Sequence, residues 1–85
     1  MKEFELQPIN GRKSFGGKAI VREAFEISTL LSYGTEAAQY NHKTNEMKVY
    51  AYHSTTTGTH INAFLVLYGF DKCTKKELEI NYNLK

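Results

Sequence analysis

The chain has 85 residues, of which 41% are hydrophobic and 24% are charged, and its formal net charge is +2. These values predict a single globular domain over residues 1–85 and exclude a disordered or collagen-like chain. They also exclude a membrane-spanning segment, because no apolar run reaches the roughly 18 residues that a transmembrane helix needs.

The first half of the chain has the two-residue periodicity of β-strands. Polar and apolar residues alternate from Glu3 to Gln7, and Pro8 followed by Asn10-Gly11 ends this first strand. Similar segments joined by short loops predict an antiparallel meander of four to five strands. Their expected bounds are about residues 2–7, 18–23, 27–33, 35–41 and 46–53.

The second half changes to helical periodicity. Ile61, Phe64, Leu65 and Tyr68 lie at positions i, i+3, i+4 and i+7, which predicts one long helix over about residues 56–68 with an apolar stripe against the sheet. Gly69 is the residue type that ends a helix in the left-handed conformation.

A second, shorter helix is predicted over about residues 75–80. Thr74 and Glu77 have the spacing of a capping box, although the alternation of Leu78, Ile80 and Tyr82 also fits a last strand. With the short helix favoured, the fold class is α+β, an antiparallel sheet with one long helix packed across it.

The start of the long helix is a candidate anion site. Thr56, Thr57 and His60 surround backbone N–H groups that carry partial positive charge, and Gly58 allows close approach. The alternative is that one threonine caps the helix and His60 is a solvated residue of the first turn, which is the commoner arrangement.

A glycine-rich basic loop is a candidate nucleic-acid contact. Arg12, Lys13 and Lys18 are interleaved with Phe15, and single-strand binders combine cationic contacts with aromatic stacking. The loop is not a P-loop, because Ala19 follows Lys18 where serine or threonine is required. The favoured alternative is a solvated loop whose Phe15 enters the core.

Two surfaces are candidate protein interfaces. Tyr50 and Tyr52 share one strand face, with Tyr40 of the preceding strand expected nearby, and tyrosine is enriched at interfaces. On the long helix, Val66 and Leu67 lie away from the apolar stripe, and residues 56–70 contain no charged side chain. Exposed apolar area of this kind usually marks an interface, so we expect a homo-oligomer or another protein partner.

Catalytic chemistry has little support in the sequence. The chain lacks catalytic motifs, and its three histidines have no metal-ligand spacing, so we expect no enzyme activity, metal, cofactor or small-molecule substrate. The lone Cys73 excludes an intramolecular disulfide, and the first residues lack the apolar run of a signal peptide. We therefore expect a cytoplasmic protein without membrane contact.

Several motifs resemble those of small proteins of unassigned activity carried by bacteriophages and prophages. These motifs are NGRKSF, SYGT, YHSTTT, HINAFL and YGF, within residues 10–70, and the resemblance extends from residue 8 to about residue 78. It implies a phage or prophage gene expressed in a bacterial cytoplasm and carries no functional residue. The residues thus predict a small non-enzymatic module that binds protein, either itself or a partner. The resemblance implies that such a partner is a host protein, for example a defence component. The alternative is a nucleic-acid-binding accessory protein.

Overall fold

The computed structural model describes residues 2–8, 15–50 and 55–82 of the chain. Within these residues lie five strands and two helices: β1 (Lys2–Glu5), β2 (Ala19–Ala24), β3 (Ile27–Ser32), β4 (Thr35–Asn41), β5 (Glu46–Val49), α1 (Thr55–Leu67) and α2 (Lys75–Asn81). The strands form one antiparallel sheet in the order β1-β2-β3-β4-β5, which leaves β1 and β5 at its edges. The predicted α+β class is confirmed, as an open sheet with two helices.

Most predicted bounds agree with the structure to within one or two residues, and the last strand differs most. The strand predicted over residues 46–53 ends at Val49, Tyr50 follows it, and residues 51–54 lie outside the described residues. The last element is a helix and not a strand, because both bonds of the capping box form. The Glu77 N–H donates to Thr74 Oγ1 at 3.2 Å, and the Thr74 N–H donates to Glu77 Oε1 at 2.9 Å.

The hydrophobic core lies between one face of the sheet and α1. The predicted stripe of α1 is fully buried at Ile61, Phe64 and Leu65, and the helix packs against β3 and β4. The opposing sheet residues alternate along their strands, as expected for a sheet with one covered face. They are Val21, Leu30, Ala38 and Val49.

The covered face of β3 is the one that carries its serines. Ser28, Leu30 and Ser32 are buried against the helix side, whereas Ile27, Thr29 and Leu31 are half-buried on the other face. Two polar side chains can occupy the core here because each is hydrogen-bonded to a histidine, which offsets the cost of removing a hydroxyl from water.

Two tight turns of the same kind connect β2 to β3 and β3 to β4. Phe25 and Glu26 form the first, with φ of 53° and 67°, and Tyr33 and Gly34 form the second, with φ of 55° and 80°. Positive φ at both central residues defines the type I′ turn, whose twist matches that of antiparallel strands. Only the second turn has a glycine, which reaches this conformation without strain.

The end of α1 fixes the direction in which the chain leaves the helix. Gly69 has φ of 85°, its N–H donates to the Val66 carbonyl, and the Phe70 N–H donates to the Leu65 carbonyl. This pair of bonds is the Schellman motif, and it confirms the predicted role of Gly69. Further along, the Asn62 side chain bonds both backbone groups of Cys73, at 2.9 and 2.6 Å, and ties the following loop to α1.

Candidate functional site: a groove between β1 and α1

An apolar groove separates edge strand β1 from the C-terminal half of α1. Its volume is about 240 Å³. One wall is the chain from Phe4 to Pro8, and the other consists of Ala63, Val66 and Leu67. These three helix residues lie at i, i+3 and i+4, so they form a second apolar stripe beside the one that faces the sheet.

The second stripe of α1 is open to solvent at its outer end. Val66 is 40% exposed and Leu67 is 46% exposed, while Ala63 at the bottom of the groove is buried. The structure thus places the two predicted interface residues of the helix side by side, at the rim of one concavity. This is the arrangement that an apolar binding site needs, because a partner side chain entering the groove removes both from water.

Charged side chains line the opposite side of β1. Glu3 and Glu5 alternate with Phe4 and lie on the other face of the sheet from α1. The Glu3 carboxylate bonds Arg22 Nε on β2 at 3.1 Å. Among the described residues, no cation is in ion-pair contact with Glu5. The apolar interior of the groove therefore lies on the α1 side of β1, and the carboxylate of Glu5 lies on the opposite face of the same strand.

The predicted tyrosine surface is only partly assembled. Tyr50 is 46% exposed, and its hydroxyl donates to Gln39 Oε1 on β4 at 2.7 Å. Partial burial raises the pKa of Tyr50, and the nearby carboxylate of Glu36 raises it further. Tyr52 lies outside the described residues. The expectation that Tyr40 joins this face is wrong, because Tyr40 pairs with Met47 and is buried on the α1 side of the sheet.

At the start of α1, two of the three residues predicted to contact an anion have buried side chains. Thr57 and His60 are buried, and His60 Nδ1 lies 2.8 Å from Ser32 Oγ on β3. Thr56 is half-buried. The alternative of a solvated His60 is wrong for the same reason, since its ring faces the sheet and forms part of the core. Thr57 and His60 therefore pack in the interior of the domain.

The predicted basic loop is described only at its end. Arg12 and Lys13 lie outside the described residues. Phe15 is a core residue and not a stacking platform, because its ring is buried against the His60 ring with centroids 4.5 Å apart. Lys18 is exposed, and its Nζ lies 5.6 Å from the centroid of the Tyr33 ring, within the range of a cation–π contact.

A polar and aromatic cluster that the sequence did not predict lies at the other end of β3. Ser28 Oγ is 2.6 Å from His42 Nε2, and the Tyr68 hydroxyl donates to Ser28 Oγ at 2.8 Å. The Tyr40 ring stacks on the Tyr68 ring with centroids 4.7 Å apart. Burial raises the pKa of Tyr68, the bond to Ser28 opposes this, and Glu23 and Tyr40 raise the pKa further.

This cluster contains the pair that most resembles catalytic machinery, a serine hydrogen-bonded to a histidine. Ser28 is fully buried, however, and its hydroxyl is already shared between His42 and Tyr68. A nucleophile must have a free approach for a substrate carbonyl, and these contacts occupy it. The cluster instead joins the turn after β4 and the end of α1 to the sheet.

Neither described helix has the length and apolarity required to cross a bilayer. Within the same residues, no three histidine, cysteine or carboxylate side chains are grouped closely enough to hold a metal ion.

Comparison with known proteins identifies one family. Residues 4–80 match the model described as "Family of unknown function (DUF8033)". The match spans all the described strands and helices except the first residues of β1 and the end of α2, so the groove lies within the shared region. No curated protein and no solved structure matches the chain.

Proposed function

We propose that this chain, which belongs to DUF8033, a family of unknown function, is a protein-binding module whose contact surface is the groove between β1 and α1. The observation that supports this proposal is the second apolar stripe of an uncharged helix, exposed at Val66 and Leu67 beside a concave wall of β1. A solvated helix face normally carries charges, and none is present along α1.

The groove is a better candidate than the outer face of the sheet. On that face Ile20 and Leu31 are neighbours, but both are half-buried, and the charged residues Glu5 and Glu36 lie opposite them on the adjacent strands. Such a mixture is ordinary for an antiparallel sheet with one solvated face. The groove, in contrast, combines a concave shape with two apolar side chains that are close to half exposed, Val66 and Leu67.

The module acts by binding and not by catalysis. Its Ser28–His42 pair is engaged in structural hydrogen bonds, which supports a non-enzymatic role. The nucleic-acid alternative has weaker support, because Phe15, Thr57 and His60 are buried and cannot contact a nucleic acid in this conformation. Further, from the resemblance to phage and prophage proteins, we propose that the gene is phage-derived and that the partner is a protein of the bacterial cytoplasm.

The test compares groove variants with a matched surface variant. Leu67→Glu and Val66→Glu place a charge at the rim of the groove, whereas Ile80→Glu places one on α2, where the side chain is 68% exposed outside the groove. All three should remain folded by circular dichroism. Each protein is cross-linked in a lysate of the source organism, and the cross-linked partners are identified. We expect Ile80→Glu to capture the same partners as the wild type and both groove variants to capture none of them.

Two results would contradict the proposal. One is unfolding of both groove variants, which would make Val66 and Leu67 core residues. The other is an identical set of cross-linked proteins for the wild type and the groove variants, together with an unchanged molar mass by light scattering. Light scattering also shows whether the bound protein is a second copy of the chain.

A further inference from the structure

Among the described residues, no strand pairs with the outer edge of β1, and some backbone hydrogen-bonding groups of β1 face away from the sheet. The Leu6 N–H donates to the Ala19 carbonyl at 2.9 Å, which makes these two residues a hydrogen-bonded pair of the β1–β2 ladder. Pairs of this kind alternate with non-bonded pairs in antiparallel strands. The N–H and C=O groups of Glu3 and Glu5 therefore point away from β2, toward the position of an additional strand.

A strand added at this edge would direct alternate side chains into the groove. Its side chains on the α1 side would lie next to Phe4, which lines the groove together with Leu67, and those on the other side would lie next to Glu3 and Glu5. The groove volume of about 240 Å³ is smaller than the ~300–1,000 Å³ of pockets for drug-sized ligands. It suits an aliphatic side chain better than a separate small molecule.

Charge determines which strand can bind. A lysine or arginine directly opposite Glu5 would be favourable, because opposite charges across neighbouring strands stabilise a sheet and like charges destabilise it. A second copy of β1 is disfavoured by the same rule. Two copies of β1 could pair as antiparallel strands with both α1 helices on the same side of the joined sheet. In each such register that pairs three residues of one copy with three of the other, Glu3 or Glu5 lies opposite a glutamate of the second copy.

We propose that the groove binds an extended segment of another protein as a strand antiparallel or parallel to β1, with apolar side chains in the groove and a lysine or arginine opposite Glu5. This inference rests on the proposed protein-binding function and specifies the partner. The binding mode is β-strand addition, in which main-chain bonds supply affinity and alternate side chains supply specificity.

The experiment selects peptides from a displayed library of random short sequences, with the full chain as bait. We expect the enriched peptides to alternate apolar residues with others and to carry lysine or arginine at one of the alternating polar positions. Binding is then measured by fluorescence anisotropy with the best synthetic peptide and three variants, Glu5→Pro, Glu5→Ala and Glu5→Lys.

Each variant removes a different part of the contact. Proline at position 5 removes an outward N–H that the β1–β2 ladder does not use, so the fold should be retained. Relative to Glu5→Ala, we expect Glu5→Pro to weaken binding about tenfold, the effect of a lost main-chain bond. Glu5→Lys should weaken binding of the basic peptide more than Glu5→Ala does.

Four results would overturn the inference: no enriched peptide, enriched peptides with helical spacing, equal affinity of Glu5→Pro and Glu5→Ala, or a dimer in solution that Leu67→Glu converts to a monomer. These results differ from failure of the proposed function. A helical peptide or second copy whose binding is abolished by Leu67→Glu refutes strand addition but leaves protein binding at the groove standing.

Discussion

The two type I′ turns of the sheet differ by one glycine, and this difference predicts their stabilities. Glu26 occupies the second central position of the β2–β3 turn with φ of 67°, where Gly34 occupies it in the β3–β4 turn with φ of 80°. A residue with a Cβ atom in the left-handed region costs roughly 1–2 kcal/mol relative to glycine. We therefore expect Glu26→Gly to stabilise the domain and Gly34→Ala to destabilise it.

The magnitude follows from two opposing contributions. Relief of strain at position 26 stabilises the folded state by roughly 1–2 kcal/mol, and the greater freedom of glycine in the unfolded chain offsets roughly 0.5–1 kcal/mol of this. No other contact is lost, because Glu26 is exposed and its carbonyl still accepts the His42 N–H. The expected net gain is about 0.5–1 kcal/mol, which corresponds to a rise in melting temperature of roughly 2–8 °C.

Thermal and urea unfolding of the two variants test this reasoning together. The Gly34→Ala variant is a clean control, because a Cβ at that position meets no atom within 4 Å and any loss of stability comes from the backbone alone. A lower melting temperature for Glu26→Gly, or an unchanged one for Gly34→Ala, would show that positions 26 and 34 do not have positive φ in the folded protein.

Two other predictions concern the interior. Tyr68→Phe removes the hydroxyl that donates to Ser28, so we expect the free energy of unfolding at pH 7 to fall by about 1 kcal/mol. Because the pKa of Tyr68 is raised in the folded state, this group's contribution to stability is complete below about pH 10 and is lost as the pH rises through the folded-state pKa. Urea unfolding between about pH 9 and 11 should accordingly depend less on pH in Tyr68→Phe than in the wild type, and equal slopes would contradict the assignment. Phe15→Ala should lower the free energy of unfolding by about 3 kcal/mol, since the ring is buried against His60; a stability equal to that of the wild type would instead place the ring at the surface.

Features set by local sequence were predictable in this chain. The two-residue and helical periodicities located the strands and α1, because each pattern reflects a single buried face. Gly69 and the Thr74–Glu77 box located helix ends, because capping depends on residues within one turn. The exposure of Val66 and Leu67 was also predictable, because the angle between successive helix residues places both away from the stripe that faces the sheet.

Features set by distant contacts were not predictable. The burial of His60 depends on Ser32, which is 28 positions away, and the pair at the other end of β3, Ser28 and His42, is separated by 14 positions. A histidine near a helix start carries no signal that a serine on a strand will face it. The sequence also does not show which face carries Tyr40, because the register of β4 and β5, which pairs Tyr40 with Met47, depends on the intervening turn.

The absence of charge along α1 has several separate causes, and these causes reduce the number of helix residues that can be assigned to a binding surface. Ile61 and Phe64 are apolar because they face the sheet, and position 60 holds a histidine whose ring is buried against Ser32. Asn62 is committed to the backbone of the loop after α1. Most of the helix is therefore uncharged for reasons of folding, and its composition alone overstates the size of the interface. Packing within the domain does not explain why Val66 and Leu67 are apolar, because both are exposed. They lie at the C-terminal end of α1, beside the strand edge whose backbone groups face outward.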